Sequence, residues 1–269
     1  MAVRKSEAIE LGYRFPRHAH LHLLIKLRRG RAAYRNMLAR TLGRDREDCP
    51  VPCAVTPALE AAKAAFTAKG WAFVENVFTP DFHARFVAEF PRFYYFAPIR
   101  NITKSYDTGF GWEAHTRRQP AYMSQNPVVR ELYRFIQGSE FASVVTRLCD
   151  DGVERSCLAI LLTKSYPGSS VIPHQDTAST RPEGQHYVNF VFFISGTGGE
   201  RAGGLSIMND AEYRDVVFEP RNLTNSMIFY RTAGPFFHGF KPMRFGTYRW
   251  TVNAHFCGRD WLASQPRGR

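Results

Sequence analysis

The sequence predicts an α+β fold, a double-stranded β-helix of the jelly-roll or cupin-like kind, supported by helices on its N-terminal side. Three observations point there. From Leu158 to Phe256 the chain is a series of short β-branched and aromatic runs. Ala202-Gly203-Gly204-Leu205 and Glu219-Pro220 punctuate them, as a double-sheet barrel requires. Before Leu158, Pro and Gly bracket several helix-length segments. Finally, one extended run ends in His174-Gln175-Asp176, whose period of two puts His174 and Asp176 on one side of a strand.

Taken in order, residues 1–50 form a basic, partly helical extension, and residues 51–269 form the barrel domain. The net charge is +12, and Met1–Asp48 carries twelve Lys/Arg against five Asp/Glu, more than half of that excess. Such a balance favours anionic partners, an anionic surface or a polyanion among them. Over His20–Leu42, Leu24, Leu27, Tyr34, Leu38 and Leu42 recur at near-helical steps with arginines between them. This stripe either packs on the barrel or lies on an anionic membrane surface. The alternating His18, His20 and His22 have no matching cluster and read as surface residues.

Cys49-Pro50-Val51-Pro52-Cys53 reads as a linker. Thr56 then caps a helix begun by Pro57 and closed by Gly70, Trp71–Phe78 is a strand, and Thr79-Pro80 starts a helix reaching Phe90. Pro91–Met123 is aromatic and irregular, with Phe93 to Phe96, Tyr106, Phe110, Trp112 and His115. Part of it forms a lid or wall over the substrate, or else it is an extra strand pair on the barrel edge. Asn126-Pro127 opens a helix ended by Gly138, and Ser139 caps another reaching Cys149. Leu158–Lys164, His186–Ser195, Leu205–Met208, Val216–Phe218, Met227–Arg231 and Thr247–Phe256 are the barrel strands. Full or near closure would remove unprotected sheet edges.

Five scattered cysteines argue against a disulfide framework and for a reduced compartment, the cytoplasm by default. No apolar run approaches the ~20 residues of a membrane span. The N-terminus lacks the apolar block of a secretory signal.

The chemistry concentrates in Tyr166–Asp176 and its distant partners. Two imidazoles, His174 and His238, with the Asp176 carboxylate make a 2-His-1-carboxylate face, which suits a non-haem Fe(II) with open positions. Arg249 and Thr251 follow on one face of a strand, a guanidinium and a hydroxyl suited to holding a carboxylate. Tyr166-Pro167-Gly168 supplies a turn ahead of the strand that delivers His174. Arg181, His186 and Asn189 are the substrate candidates near the ligands; Asp107, Arg117 and Arg118 are further charges in the aromatic segment.

The order Y-P-G, H-Q-D, G-G-L, His238 and R-W-T resembles the Fe(II)/2-oxoglutarate-dependent oxygenases in their prolyl-hydroxylase-like branch. The resemblance spans roughly Trp71–Phe256. It implies a jelly-roll catalytic domain in which His174, Asp176 and His238 ligate iron. It also implies that Arg249, Thr251 and Tyr166 contact 2-oxoglutarate, with O2 as co-substrate. The implied reaction hydroxylates an unactivated C–H of a small-molecule, carrier-bound or peptidyl substrate and releases succinate and CO2. Asp176 separates the chain from halogenating relatives, which carry a small residue there. One departure is that the strand after H-Q-D offers phenylalanines around Phe192 where many relatives place a tyrosine. Two readings compete with this one: a non-catalytic barrel module docked to an anionic surface, and a cupin dioxygenase that uses no 2-oxoglutarate.

Overall fold

The computed structural model describes residues 27–31, 33–34, 37–38, 49, 51–91, 96–100, 104–109, 111–114, 126–176 and 187–264, with backbone alone for 97–100. Several expectations fall outside these residues: His18, His20 and His22, Phe93, Phe110, His115, Arg117 and Arg118, and the substrate candidates Arg181 and His186.

Twelve strands make up the sheet: β1 (Trp71–Glu75), β2 (Phe96–Arg100), β3 (Lys104–Gly109), β4 (Trp112–Glu113), β5 (Arg155–Ser165), β6 (Ser170–His174), β7 (Val188–Gly196), β8 (Ser206–Met208), β9 (Val216–Phe218), β10 (Ser226–Arg231), β11 (Phe237–Phe240) and β12 (Arg249–Gly258). Ten follow one antiparallel path, β1-β10-β7-β12-β5-β3-β6-β11-β8-β9, with β2 on β3 and β4 on β5. The sheet curls as a jelly roll. Its two ends meet through side chains: Phe218 of β9 packs on Trp71 and Phe73 of β1, with ring centroids 5.0 and 5.3 Å apart. Aromatic contact links these edges, where the sequence suggested barrel closure.

Strand β7 shows how the layers divide. Val188, Phe190, Phe192 and Ile194 bury themselves in the cluster shared with the helices, whereas Val191 and Phe193 join the cluster inside the barrel. Both faces are covered, so Phe190–Ile194 reads as a continuous apolar run in the sequence, with Asn189 the polar residue just before it. The helices are α1 (Ala58–Ala61), α2 (Lys63–Lys69), α3 (Pro80–Glu89), α4 (Pro127–Gln137), α5 (Ser139–Cys149) and α6 (Arg259–Ser264). In α4, Val128, Val129, Leu132, Tyr133 and Ile136 form a buried stripe, and Asn126 caps it by accepting from the Val129 N–H at 3.0 Å.

Three local expectations are corrected. Thr56 does not cap, because its hydroxyl donates to the Asn76 carbonyl at 2.8 Å; the helix it was to open is split at Ala62. Ser139 lies inside α5 and Gly138 is the N-cap. Part of the aromatic segment is the β2–β3 hairpin with β4, but it is not an edge pair: β3 runs between β5 and β6, and its Lys104 and Tyr106 line the central cavity, so the segment supplies both a strand pair and part of a wall. Two elements were unanticipated, α6 and β11. Strand β11 hides in a short Gly- and Pro-flanked run, and a Cβ on its Gly239 would lie 2.5 Å from the Val171 carbonyl oxygen. That close approach brings β11 against β6 and pairs His238 with His174 in register.

Of the expected stripe on the N-terminal segment, Leu27 and Tyr34 are 59 and 54% exposed, as is the neighbouring Met37 at 53%. Arg28 nevertheless reaches the barrel, donating to the buried Asp107 carboxylate at 2.5 Å. No helix among the described residues is long and apolar enough to cross a membrane. All five cysteines are free thiols.

Candidate active site

The site is assembled by three neighbouring strands. The Tyr166–Ser169 turn, closed by Ser169 N–H to Tyr166 C=O at 2.9 Å with Gly168 at φ 81°, reverses the chain from β5 into β6. Strand β6 ends on His174, Asp176 follows two residues later, and β11 brings His238 alongside. One donor atom from each of His174, Asp176 and His238 lies within 4.8 Å of the other two. His174 Nε2 is 3.7 Å from Asp176 Oδ1, and His238 Nε2 is 3.7 Å from Asp176 Oδ2. These gaps are too long for hydrogen bonds. They suit donors converging on one ion at about 2.0–2.2 Å from each.

The protonation states fit the same use. His174 Nδ1 lies 2.9 Å from the Ile172 carbonyl, which can only accept, so Nδ1–H is the donor there and the neutral tautomer leaves Nε2 as the nitrogen that faces the cavity. Burial, opposed by Asp176, pushes His238 down to about 4, so it is a neutral imidazole near pH 7. Asp176 is held in turn: Asn189 Nδ2 donates to its Oδ2 at 2.7 Å, and the Tyr230 hydroxyl approaches the same oxygen at 3.5 Å. Burial first, then Asp176, raises Tyr230 well above the ordinary phenol range, which keeps it a donor.

The three donors open into a cavity that Arg249 also lines. Arg249 is buried, its guanidinium packs 4.3 Å from the Phe240 ring centroid, and Nη1 donates to the Gly203 carbonyl. Its Nε has no partner, and no carboxylate among the described residues forms an ion pair with it. Desolvation lowers it only to about 10, so it remains a cation near pH 7. An uncompensated buried charge is costly. A bound anion would supply the missing counter-charge. Iron and a dicarboxylate therefore fit the residues present.

The other expected residues are distributed as follows. Thr251 lies on the same face of β12 as Arg249, and its hydroxyl is bonded to that of Thr163, which lines the cavity. Tyr166 is a correction: it is absent from the cavity wall. Thr163 and Ser165 pair with Thr251 and Arg249, so strand alternation turns the next residue away into the turn. Tyr106 of β3 supplies a phenol to the wall instead. Asn189 does face inward, but its amide is engaged with Asp176 and His255. On β7 it is Phe193 that approaches the Arg249 guanidinium, at 5.8 Å, while Phe192 packs among the helices.

Lys104, Tyr230, Asn253 and His255 also line the cavity and were not singled out in the sequence, where Tyr106 stood out only as one aromatic of the irregular segment. For Asn253 and His255 a signal existed, since they continue the period of two begun by Arg249 and Thr251. Lys104 and Tyr106 sit in the aromatic segment, which carries no such period.

Neither a protein-family model nor a curated protein matches the sequence. Solved structures do. A prolyl hydroxylase from Trichoplax adhaerens, in complex with a hypoxia-inducible-factor peptide fragment, aligns with TM-score 0.55 at 12% identity, over 77% of this chain and 92% of that one. A 2OG-Fe(II) oxygenase family oxidoreductase from Burkholderia pseudomallei aligns with TM-score 0.53 at 14% identity, over 79% and 96%. A Pseudomonas putida prolyl-4-hydroxylase aligns with TM-score 0.51 at 16% identity, over 76% and 100%. The chain shares their fold.

Proposed function

We propose, starting from the fold shared with 2-oxoglutarate–Fe(II) oxygenases, that this chain is an Fe(II)/2-oxoglutarate-dependent dioxygenase. It hydroxylates an unactivated C–H of a small-molecule, carrier-bound or peptidyl substrate. The observation that carries this reading is one cavity holding both a His-Asp-His donor set and a buried arginine without a counter-ion. His174, Asp176 and His238 would hold the metal, and Arg249 the distal carboxylate of 2-oxoglutarate, with the Thr163–Thr251 hydroxyl pair beside it. When bound, iron and 2-oxoglutarate supply oxidation by O2 coupled to release of succinate and CO2.

The protein's own residues bind, orient and shield. The Ile172 carbonyl fixes the His174 tautomer, and burial keeps His238 neutral. The Phe193 and Phe240 rings around Arg249 exclude water from the charge it offers, which strengthens its pull on an anion. The Asp176 carboxylate favours hydroxylation over halogenation. The Trichoplax relative holds a peptide, which supports peptidyl targets for this fold without selecting proline here.

Turnover tests the reading. With Fe(II), O2 and a library of amino acids, peptides and glycans, 2-oxoglutarate should be converted to succinate, and one substrate class should stimulate it. Binding of both ligands with no succinate under any condition would favour the non-catalytic module. Turnover that ignores 2-oxoglutarate would favour the cupin alternative.

For the N-terminal segment, we propose contact with an anionic lipid surface. The exposed Leu27, Tyr34 and Met37 favour lipid over nucleic acid, because they offer apolar area within a basic run. Deleting residues 1–48 is expected to weaken binding to phosphatidylserine vesicles at least ~10-fold, since each nearby basic residue is worth about 1 kcal/mol. Iron affinity should change less. The deletion also uncovers Asp107, so full-length Leu27→Asp/Tyr34→Asp provides a second test with Arg28 in place. Equal vesicle binding by the variants and the parent would remove the membrane proposal.

A further inference from the structure

We infer that Asn189 and His255 are positioning residues that commit one oxygen of Asp176 and leave the other for the metal. This rests on the metal-site reading above but not on any cofactor or substrate. The two residues face each other across the β7–β12 pairing. His255 Nδ1 lies 2.6 Å from Asn189 Oδ1, an amide oxygen that can only accept, so the imidazole donates there. That bond decides which way the amide points, because with Oδ1 held by His255 the NH2 group faces Asp176. Its Nδ2 donates to Asp176 Oδ2 at 2.7 Å, and a carboxylate can only accept. The chain of donors runs His255 to Asn189 to Asp176, each link with one permitted direction.

Burial makes the arrangement firm. Asn189 is 5% exposed and its backbone is paired on both sides, by Tyr230 of β10 and His255 of β12. Asp176, in contrast, follows the end of β6 and lies outside any strand. Its carboxylate therefore takes its orientation from side chains. Each carboxylate oxygen lies 3.7 Å from one histidine Nε2, so distance does not choose between them; the amide bond on Oδ2 does, and it leaves Oδ1 as the oxygen to bind through a single bond. Without the amide, the carboxylate is free to turn and chelate with both oxygens, filling a position that the open face needs. Partners of this kind around metal ligands typically change metal affinity by about 10–100-fold.

The test uses the full-length chain with Co(II) as an anaerobic stand-in that reports its coordination through visible d–d bands. Asn189→Leu keeps the size and removes the donor. It should weaken Co(II) binding about 10–100-fold and change the intensity of the d–d bands. Asn189→Thr, which restores a hydroxyl donor, should recover part of the affinity. His255→Phe, which releases the amide, should fall between the two. Melting of the metal-free proteins reports folding separately from metal binding. A folded Asn189→Leu with parental affinity and an unchanged spectrum overturns the inference. Should that variant not fold, the same result for His255→Phe does so. A parent that binds Co(II) but no 2-oxoglutarate would sink the oxygenase proposal and leave this one standing. A parent that takes up no Co(II) overturns both.

Discussion

Methionine in place of Arg249 is expected to abolish measurable 2-oxoglutarate binding while leaving Fe(II) affinity close to the parent's. Removing one partner of a buried charge pair costs about 2–5 kcal/mol, which is roughly 30- to 4,000-fold in Kd. The stability of the apo protein should move the other way or stay level. In the ligand-free chain the guanidinium is buried with its Nε unpartnered and no described carboxylate to neutralise it. Exchanging a buried charge for an apolar side chain of similar volume is often neutral or stabilising. The loss of one Nη1 hydrogen bond to Gly203 limits that gain. Isothermal titration with 2-oxoglutarate and a melt of the apo protein check the two halves. Unchanged 2-oxoglutarate affinity would mean that the cation serves the fold and not a ligand.

Alanine at Asp176 should have the larger effect on the metal. It removes the one carboxylate that lines the cavity among the described residues and leaves the Asn189 amide with only the Tyr230 hydroxyl, 3.4 Å away, to donate to. The expected loss of Fe(II) affinity exceeds the roughly 10–100-fold typical of an outer partner. A ligand at a hundred times its Kd stabilises the native state by about 2.7 kcal/mol. Metal should therefore raise the melting temperature of the parent and not that of Asp176→Ala. A variant that still gains stability from Fe(II) would place the metal elsewhere.

How much of this was legible beforehand depends on what each residue type reveals alone. His174 and Asp176 are two positions apart, and reading the run as extended put them on one side; their donor atoms do converge, although β6 ends at His174 and Asp176 lies just beyond it. His238 was singled out as a candidate ligand although β11 was not legible as a strand. Its pairing depends on Gly239 allowing a close approach to β6, a contact between residues far apart in sequence. Tyr166 misled because the sequence shows a turn but not the facing of its first residue, which the register of β5 against β12 decides. Tyr106 was legible only as one of several aromatics in an irregular segment, since β3 has no periodic pattern and owes its place to pairing with β5 and β6. The Asn189–His255 link was hidden for the same reason. Each residue looks like an ordinary polar interruption in its own strand, and only the pairing of β7 with β12 brings them within 2.6 Å.

One cavity is proposed to hold iron on three side chains and 2-oxoglutarate on Arg249. Anaerobic addition of Fe(II) and then 2-oxoglutarate to the full-length chain puts both to the test at once. A weak visible charge-transfer band is expected that requires both additions and is missing from Arg249→Met and Asp176→Ala. A spectrum that stays flat with both present at saturating concentration would contradict this proposal.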